Sequence, residues 1–246
     1  MCRVGVAFLA LLFGTGTAGA ADDVPYQRDV LYQRQNPDRR LIFSGVDLWR
    51  NGAFLYGGYV VSPLGLDRSG FLWKILSATG AYRYRSGDVT FVASQSVVAA
   101  MAGWRHRSAR FEVSVYGGPE AQVHVMVPDD PGHHLRGLRF GFRGGVDLWH
   151  EPTPASMLAS SISFSTVGPG AWARLALGWK ASDMFYVGPE VIGSADIDYR
   201  QLRLGVHATA MRYGPYEWSI GVGWARDTDD RDGLYGRFDF LTRRLN

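Results

Sequence analysis

The sequence predicts an all-β chain, a single antiparallel up-and-down transmembrane β-barrel of about 12 strands that follows an N-terminal signal peptide. Three observations point there. From about Leu41 onward apolar and polar residues alternate with a period of two, which is the strand signal. Many of these stretches run ten or more residues, longer than the usual five or six and matching the roughly 9 to 11 that cross a bilayer on a tilt. The 246 residues include 31 Gly, 8 Trp, 12 Tyr and 13 Phe, and beyond the N-terminal leader no apolar run is long enough for a membrane helix. With 46% hydrophobic and 20% charged residues, the chain is too apolar for disorder and too interrupted by charge for a helical bundle in lipid.

Met1-Cys2-Arg3 precede the apolar run from Val4 to Phe13, and small residues follow, ending Ala18-Gly19-Ala20. A short positive start, an apolar stretch of about ten residues and an Ala-x-Ala site are the parts of a signal peptide, so 1–20 is read as one, cleaved after Ala20. Cleavage removes Cys2, the only cysteine, and leaves no disulfide framework. Residues 21–40, with Asp22, Asp23, Arg28, Asp29, Arg34, Asp38, Arg39 and Arg40, are charged and aperiodic and read as a mobile N-terminal segment. The barrel is assigned to 41–246.

Within it, strands are expected near 41–49, 53–62, 70–84, 88–102, 108–119, 136–149, 157–167, 170–180, 183–191, 199–212, 215–227 and 232–243. The clearest alternation is Leu202, Leu204, Val206, Ala208 and Ala210 against Gln201, Arg203, Gly205, His207 and Thr209. Breakers such as Asn51-Gly52, Ser86-Gly87-Asp88 and Gly214-Pro215 divide the segments. The longest connection is expected from about Ala121 to Leu135, around Pro128-Asp129-Asp130-Pro131-Gly132. Outward apolar rows facing lipid, with Arg, Asp and Gly lining the lumen, fit these strand lengths better than a soluble periplasmic barrel that hides the same rows inside. Trp49, Phe54, Tyr56, Trp104, Tyr116, Trp149, Trp172, Trp179 and Tyr235, near strand ends, are expected in the aromatic girdles.

Composition says little about chemistry. Arg outnumbers Lys heavily, the only lysines being Lys74 and Lys180, and Arg is scattered along the chain instead of gathered on one face, so nucleic acid is not an expected partner. No metal or cofactor motif is present: the six histidines lack metal-ligand spacing, and His133-His134 beside Asp129 and Asp130 read as a solvated loop. His106-x-Ser108 with Glu120 resembles the His-x-Ser and downstream Glu of outer-membrane lipid A deacylases, although the flanking residues do not match. The preferred reading has no catalytic residues.

A binding role for the lumen is better motivated. Gly45-Val46-Asp47-Leu48-Trp49 recurs as Gly145-Val146-Asp147-Leu148-Trp149, and Gly118-Pro119-Glu120 recurs as Gly188-Pro189-Glu190. Asp47 with Trp49, and Asp147 with Trp149, share a strand face by the two-residue rule. A carboxylate beside an indole suits a sugar, whose apolar ring face stacks while its hydroxyls donate. The competing reading is a structural Asp paired with a lumenal Arg such as Arg139, Arg143 or Arg203. Glu120 and Glu190 join the same candidate network, since buried carboxylates need cationic neighbours. The candidate lumenal substrate-binding residues are therefore Asp47, Trp49, Asp147, Trp149, Glu120, Glu190 and Arg203.

Several segments, taken in order, carry a family resemblance: Ser44 to Trp49 with Gly52 to Gly58, Gly70-Phe71-Leu72 leading to Gly80-Ala81-Tyr82-Arg83-Tyr84, Val187 to Glu190, Asp198 to Gly205, and Gly233 to Gly236. From about Phe43 to Arg244 the chain resembles the cellulose biosynthesis protein BcsS family of Gram-negative α-proteobacteria. The resemblance implies an exported barrel of the cell outer membrane that acts without catalysis in export or surface anchoring of an exopolysaccharide. It implies outer-membrane lipid and lipopolysaccharide as surroundings, and cellulose and cellulose synthase complex components as partners.

Overall fold

The computed structural model describes residues 38–197, 199–228 and 231–243; the expected signal peptide and most of the charged segment after it lie outside the described residues. Twelve strands follow in order: β1 (Arg40–Trp49), β2 (Gly52–Val61), β3 (Gly70–Ser86), β4 (Val89–Arg107), β5 (Phe111–Val127), β6 (Gly137–Thr153), β7 (Ser156–Ser165), β8 (Gly170–Ser182), β9 (Phe185–Ala195), β10 (Arg200–Tyr213), β11 (Tyr216–Asp227) and β12 (Asp232–Thr242). Each pairs antiparallel with its chain neighbours, and β1 pairs with β12 from Ile42↔Thr242 to Trp49↔Tyr235, so the wall closes. Closure leaves no free sheet edge around the cylinder.

The strands are tilted. Directly opposed residues lead from Trp49 through Gly52, Tyr82 and Ala93 to Met126 on β5. The other way round, Tyr235, Gly223, Gly205, Glu190, Ala176, Ala159 and Trp149 lead to Glu112 on the same strand. The ladder therefore climbs as it circles, the stagger that accompanies a tilt of about 35–45°. Strands β3 to β6 have 17 to 19 residues, whereas β1 and β2 have 10. Because β2 ends opposite Tyr82 and β7 ends opposite Arg143, these four rise past their neighbours at the end away from the start of β1.

The apolar rows face out. Leu202, Leu204, Val206, Ile220 and Val222 are all exposed, Leu202 at 52% and Val222 at 57%, while Gln201, Arg203 and His207 between them are buried. In water such a belt would be costly to leave uncovered, and in a bilayer it is the expected wall. No helix among the described residues is long and apolar enough to cross a membrane.

Two expectations need correction. Of the nine aromatics expected in girdles, only Trp104 and Trp179 face outward; Trp49, Phe54, Tyr56, Tyr116 and Trp172 line the lumen, and Trp149 and Tyr235 pack in interior clusters. Glycine explains the inward aromatics. A Cβ on Gly145 would meet the Tyr116 ring at 2.8 Å, and one on Gly45 would strike Tyr56, so each ring lies over a glycine opposite it in the ladder. The outward aromatics are instead Phe71, Trp73, Trp104, Trp179 and Tyr216 towards one end and Phe140, Phe142, Phe164 and Trp224 towards the other. The second correction is that β4 continues to Arg107 and β5 to Val127, which shrinks the longest connection to 128–136.

Gly118-Pro119 marks no break, because only one side of the ladder yields. On the β4 side pairing passes from Ala99↔Glu120 to Ala102↔Gly117, while on the β6 side Gly118↔Arg143 and Pro119↔Phe142 persist. The same lapse recurs at Pro189, between Ala176↔Glu190 and Trp179↔Val187, as a missing N–H requires. The Leu177 carbonyl opposite this gap accepts a hydrogen bond from His207 Nε2 at 3.0 Å.

Inside, Leu66 from the loop at 62–69 packs with Val60, Leu72, Ala99, Met101 and Tyr116. Its carbonyl accepts from Arg105 at 3.1 Å and Arg107 at 3.2 Å, and its N–H donates to the Asp38 carbonyl. This strap folds inward at the mouth where β1 starts.

Candidate lumenal site

Alternation sends every second side chain of each strand inward, so the site is assembled from many strands at once. Asp47 on β1 and Asp147 on β6 both project into the lumen, as their shared pentapeptide requires. Each meets a cation from three strands away. Arg203 of β10 pairs with Asp47, and Lys74 of β3 pairs with Asp147 at 2.9 Å. Sequence reasoning anticipated an Arg for each; Lys74 was not foreseen, since nothing local to Asp147 points to β3.

The two Gly-Pro-Glu carboxylates are also clamped. Glu120 accepts from Arg143 at 2.8 Å and from Ser165. Glu190, with no exposed side-chain surface, accepts from Arg174 at 2.8 Å, Arg237 at 2.9 Å and the Tyr235 hydroxyl at 3.0 Å. Arg237 also pairs with Asp239, which accepts from Tyr56. Buried carboxylates held this way are a structural lattice first, because removing one partner would strand a charge in a low-dielectric interior.

The aromatic half of each Asp/Trp pair is occupied. Trp49 stacks with Phe54 at 5.9 Å, and the Arg203 guanidinium sits 4.8 Å from its ring. Trp149 packs edge-on against Tyr186 at 6.0 Å and donates its Nε1–H to Glu151. Lys74, besides pairing with Asp147, covers the Tyr116 ring at 3.9 Å.

Asp147 differs from the other lumenal carboxylates in keeping 40% of its side chain exposed, against 13% for Asp47 and none for Glu120 or Glu190. Across β7 and β8 its register row holds Ser161 and then Arg174, which is bound to Glu190. Ser161 lies opposite Asp147, and Ser163, Trp172 and Ser194 form one register row across β7, β8 and β9. All line the cavity, and sequence reasoning had placed Trp172 in the lipid-facing girdle.

One cavity of about 660 Å³ occupies the lumen. Its wall includes Glu112, Glu217 and Leu241 from strand ends at the β1-start mouth, and Leu135, Val167 and Tyr199 from the opposite mouth. At that second mouth Tyr199 packs on Tyr82 at 5.9 Å and donates to Asp227, which also accepts from Asn51 and Arg231. Burial, reinforced by the Asp227 carboxylate, raises the Tyr199 phenol above its ordinary value and keeps it protonated as that donor.

The His106, Ser108 and Glu120 set does not assemble. His106 is exposed on β4 beside outward-facing Trp104, whereas Glu120 is buried in the lumen, so the wall separates them. Glu120 pairs across from Ala99, well along the strand from His106. Among the described residues no group of three or more His, Cys, Asp or Glu stands ready to hold a metal ion. Asp130 accepts from Tyr84, and His133 packs against the same ring.

A family model described as cellulose biosynthesis protein BcsS matches residues 41–244. No curated protein matches the sequence. Among solved structures, the TodX monoaromatic hydrocarbon channel deltaS2 mutant is similar at 8% identity and a TM-score of 0.51, over 85% of this chain and 90% of that one. The translocator domain of the autotransporter NalP from Neisseria meningitidis follows at 10% identity and 0.48, over 89% and 96%. A KdgM porin gives 9% identity and 0.46, over 83% and 99%.

Proposed function

Because the chain belongs to the cellulose biosynthesis protein BcsS family, we propose that it is a non-catalytic barrel of the outer membrane that acts in export or surface anchoring of cellulose, together with the synthase machinery. The observation that carries this reading is a lumenal cavity whose wall, among the described residues, reaches both mouths of the cylinder. A polysaccharide held or passed there would meet apolar and aromatic side chains interspersed with paired charges and hydroxyls. The outward belt of Leu, Val, Ile, Phe and Trp supports a lipid setting, with lipopolysaccharide as the surrounding lipid at the cell surface.

Deleting the protein tests the reading directly. Cellulose at the cell surface should fall or detach while synthase activity in isolated membranes stays unchanged; normal surface cellulose would refute it. Fractionation should find the protein with the outer membrane, migrating differently on gels before and after heating. Recovery in the soluble periplasmic fraction would instead favour a barrel that binds an apolar ligand.

A further inference from the structure

The lumen carries an aromatic platform that the sequence motifs do not mark. The indoles of Trp49 and Trp149 are engaged by Phe54, Arg203 and Tyr186. Trp172 has no aromatic, cationic or hydrogen-bonded partner among the described residues; it packs, partly buried, against the Ile192, Ala225 and Tyr235 cluster. It faces the cavity between Ser163 and Ser194, whose hydroxyls also lack hydrogen-bond partners among the described residues, as does Ser161. Next to Ser161 stands the half-open carboxylate of Asp147.

Charge decides what such a surface can hold. Near Trp172 each charge is matched within the wall, Asp147 by Lys74 and Arg174 with Arg237 by Glu190 and Asp239, so the platform offers little uncompensated charge to an ionic ligand. It does offer an apolar ring face, a row of hydroxyls and one carboxylate oxygen able to accept. That combination fits a flat, uncharged molecule with hydroxyls around its rim. A cavity of this volume falls in the range of small-molecule sites.

We propose that Trp172, flanked by Ser163 and Ser194 and faced by Ser161 and Asp147, is a binding platform for an uncharged glucan segment, with a pyranose ring stacked on the indole. The proposal rests on the cellulose reading above and assigns that reading a site. Asp147 accepts from sugar hydroxyls while Lys74 keeps it charge-balanced.

Titration calorimetry with the full barrel in detergent, using cellohexaose as probe, tests it. The unsubstituted protein should bind saturably, Trp172→Ala should weaken binding at least tenfold, and Trp172→Tyr should restore part of it. Outward Trp104→Ala should leave binding unchanged, and an oligogalacturonate of equal length should bind at least tenfold more weakly. Heat-modifiable migration of each variant reports that the barrel is folded. No saturable binding by the folded parent, equal binding by folded Trp172→Ala, or equal binding of the polyanion would overturn the platform. If deletion changes surface cellulose while the purified barrel ignores cellohexaose, the platform fails and the cellulose reading stands.

Discussion

Glu190 and Asp147 are both lumenal acids with cationic partners, yet they should respond very differently to substitution. Glu190→Gln leaves two largely buried guanidinium groups, Arg174 and Arg237, beside a neutral amide, with only Asp239 still on Arg237, so a loss of about 3–5 kcal/mol is expected. Asp147→Asn leaves the Lys74 ammonium beside a neutral amide, but the ammonium keeps the Tyr116 ring and the half-open side of the site, so a smaller loss of about 1–2 kcal/mol is expected. The temperature at which each variant loses its folded gel mobility checks the order; equal losses would contradict it. The inward direction of both acids followed from alternation once the apolar rows were read as facing lipid. Their partners were not legible, because Arg237 and Lys74 arrive from three strands away and only closure brings them near. The same limit hid Trp172: a Trp near a strand end looks like an interfacial residue until the phase of its strand is fixed by neighbours.

At the scale of strands, the two faces of β10 should answer oppositely to charge. Leu204, 58% exposed in the middle of the outward row, should resist Arg strongly: about 2–4 kcal/mol on folding into vesicles. A Leu204→Arg variant that folds as well as the parent would mean the row does not meet lipid. Gly145→Val should also destabilise, by about 1–3 kcal/mol, since its Cβ would press on the Tyr116 ring and on the Ile162 carbonyl. All twelve strands were legible as alternating runs between turn residues, and most ends fall within two or three positions of expectation. The largest exceptions are the ends of β4 and β5. Pro119 reads locally as a stop, but the pairing of Gly118 with Arg143 and of Pro119 with Phe142 on β6 carries the strand through the gap on the β4 side.

For the whole cylinder, compensation of lumenal charge predicts a channel with little preference between cations and anions. In planar bilayers under a salt gradient, the reversal potential should lie close to zero. Lys74→Gln, which uncovers the Asp147 carboxylate, should shift it towards cation selectivity, and no shift would mean that Asp147 lies off the conducting path. Period, strand length and composition were enough to state the class of the molecule. The continuous cavity and its balanced lattice were not, because they are properties of closure and of no single segment. The seam between β1 and β12 has one more implication. It joins the first strand of the wall to the last, so a translation product stopped before Asp232 would not make a narrower tube. It would make an open ribbon with two raw borders, each seeking another chain, and quality control in the envelope would meet it as an aggregate to be degraded.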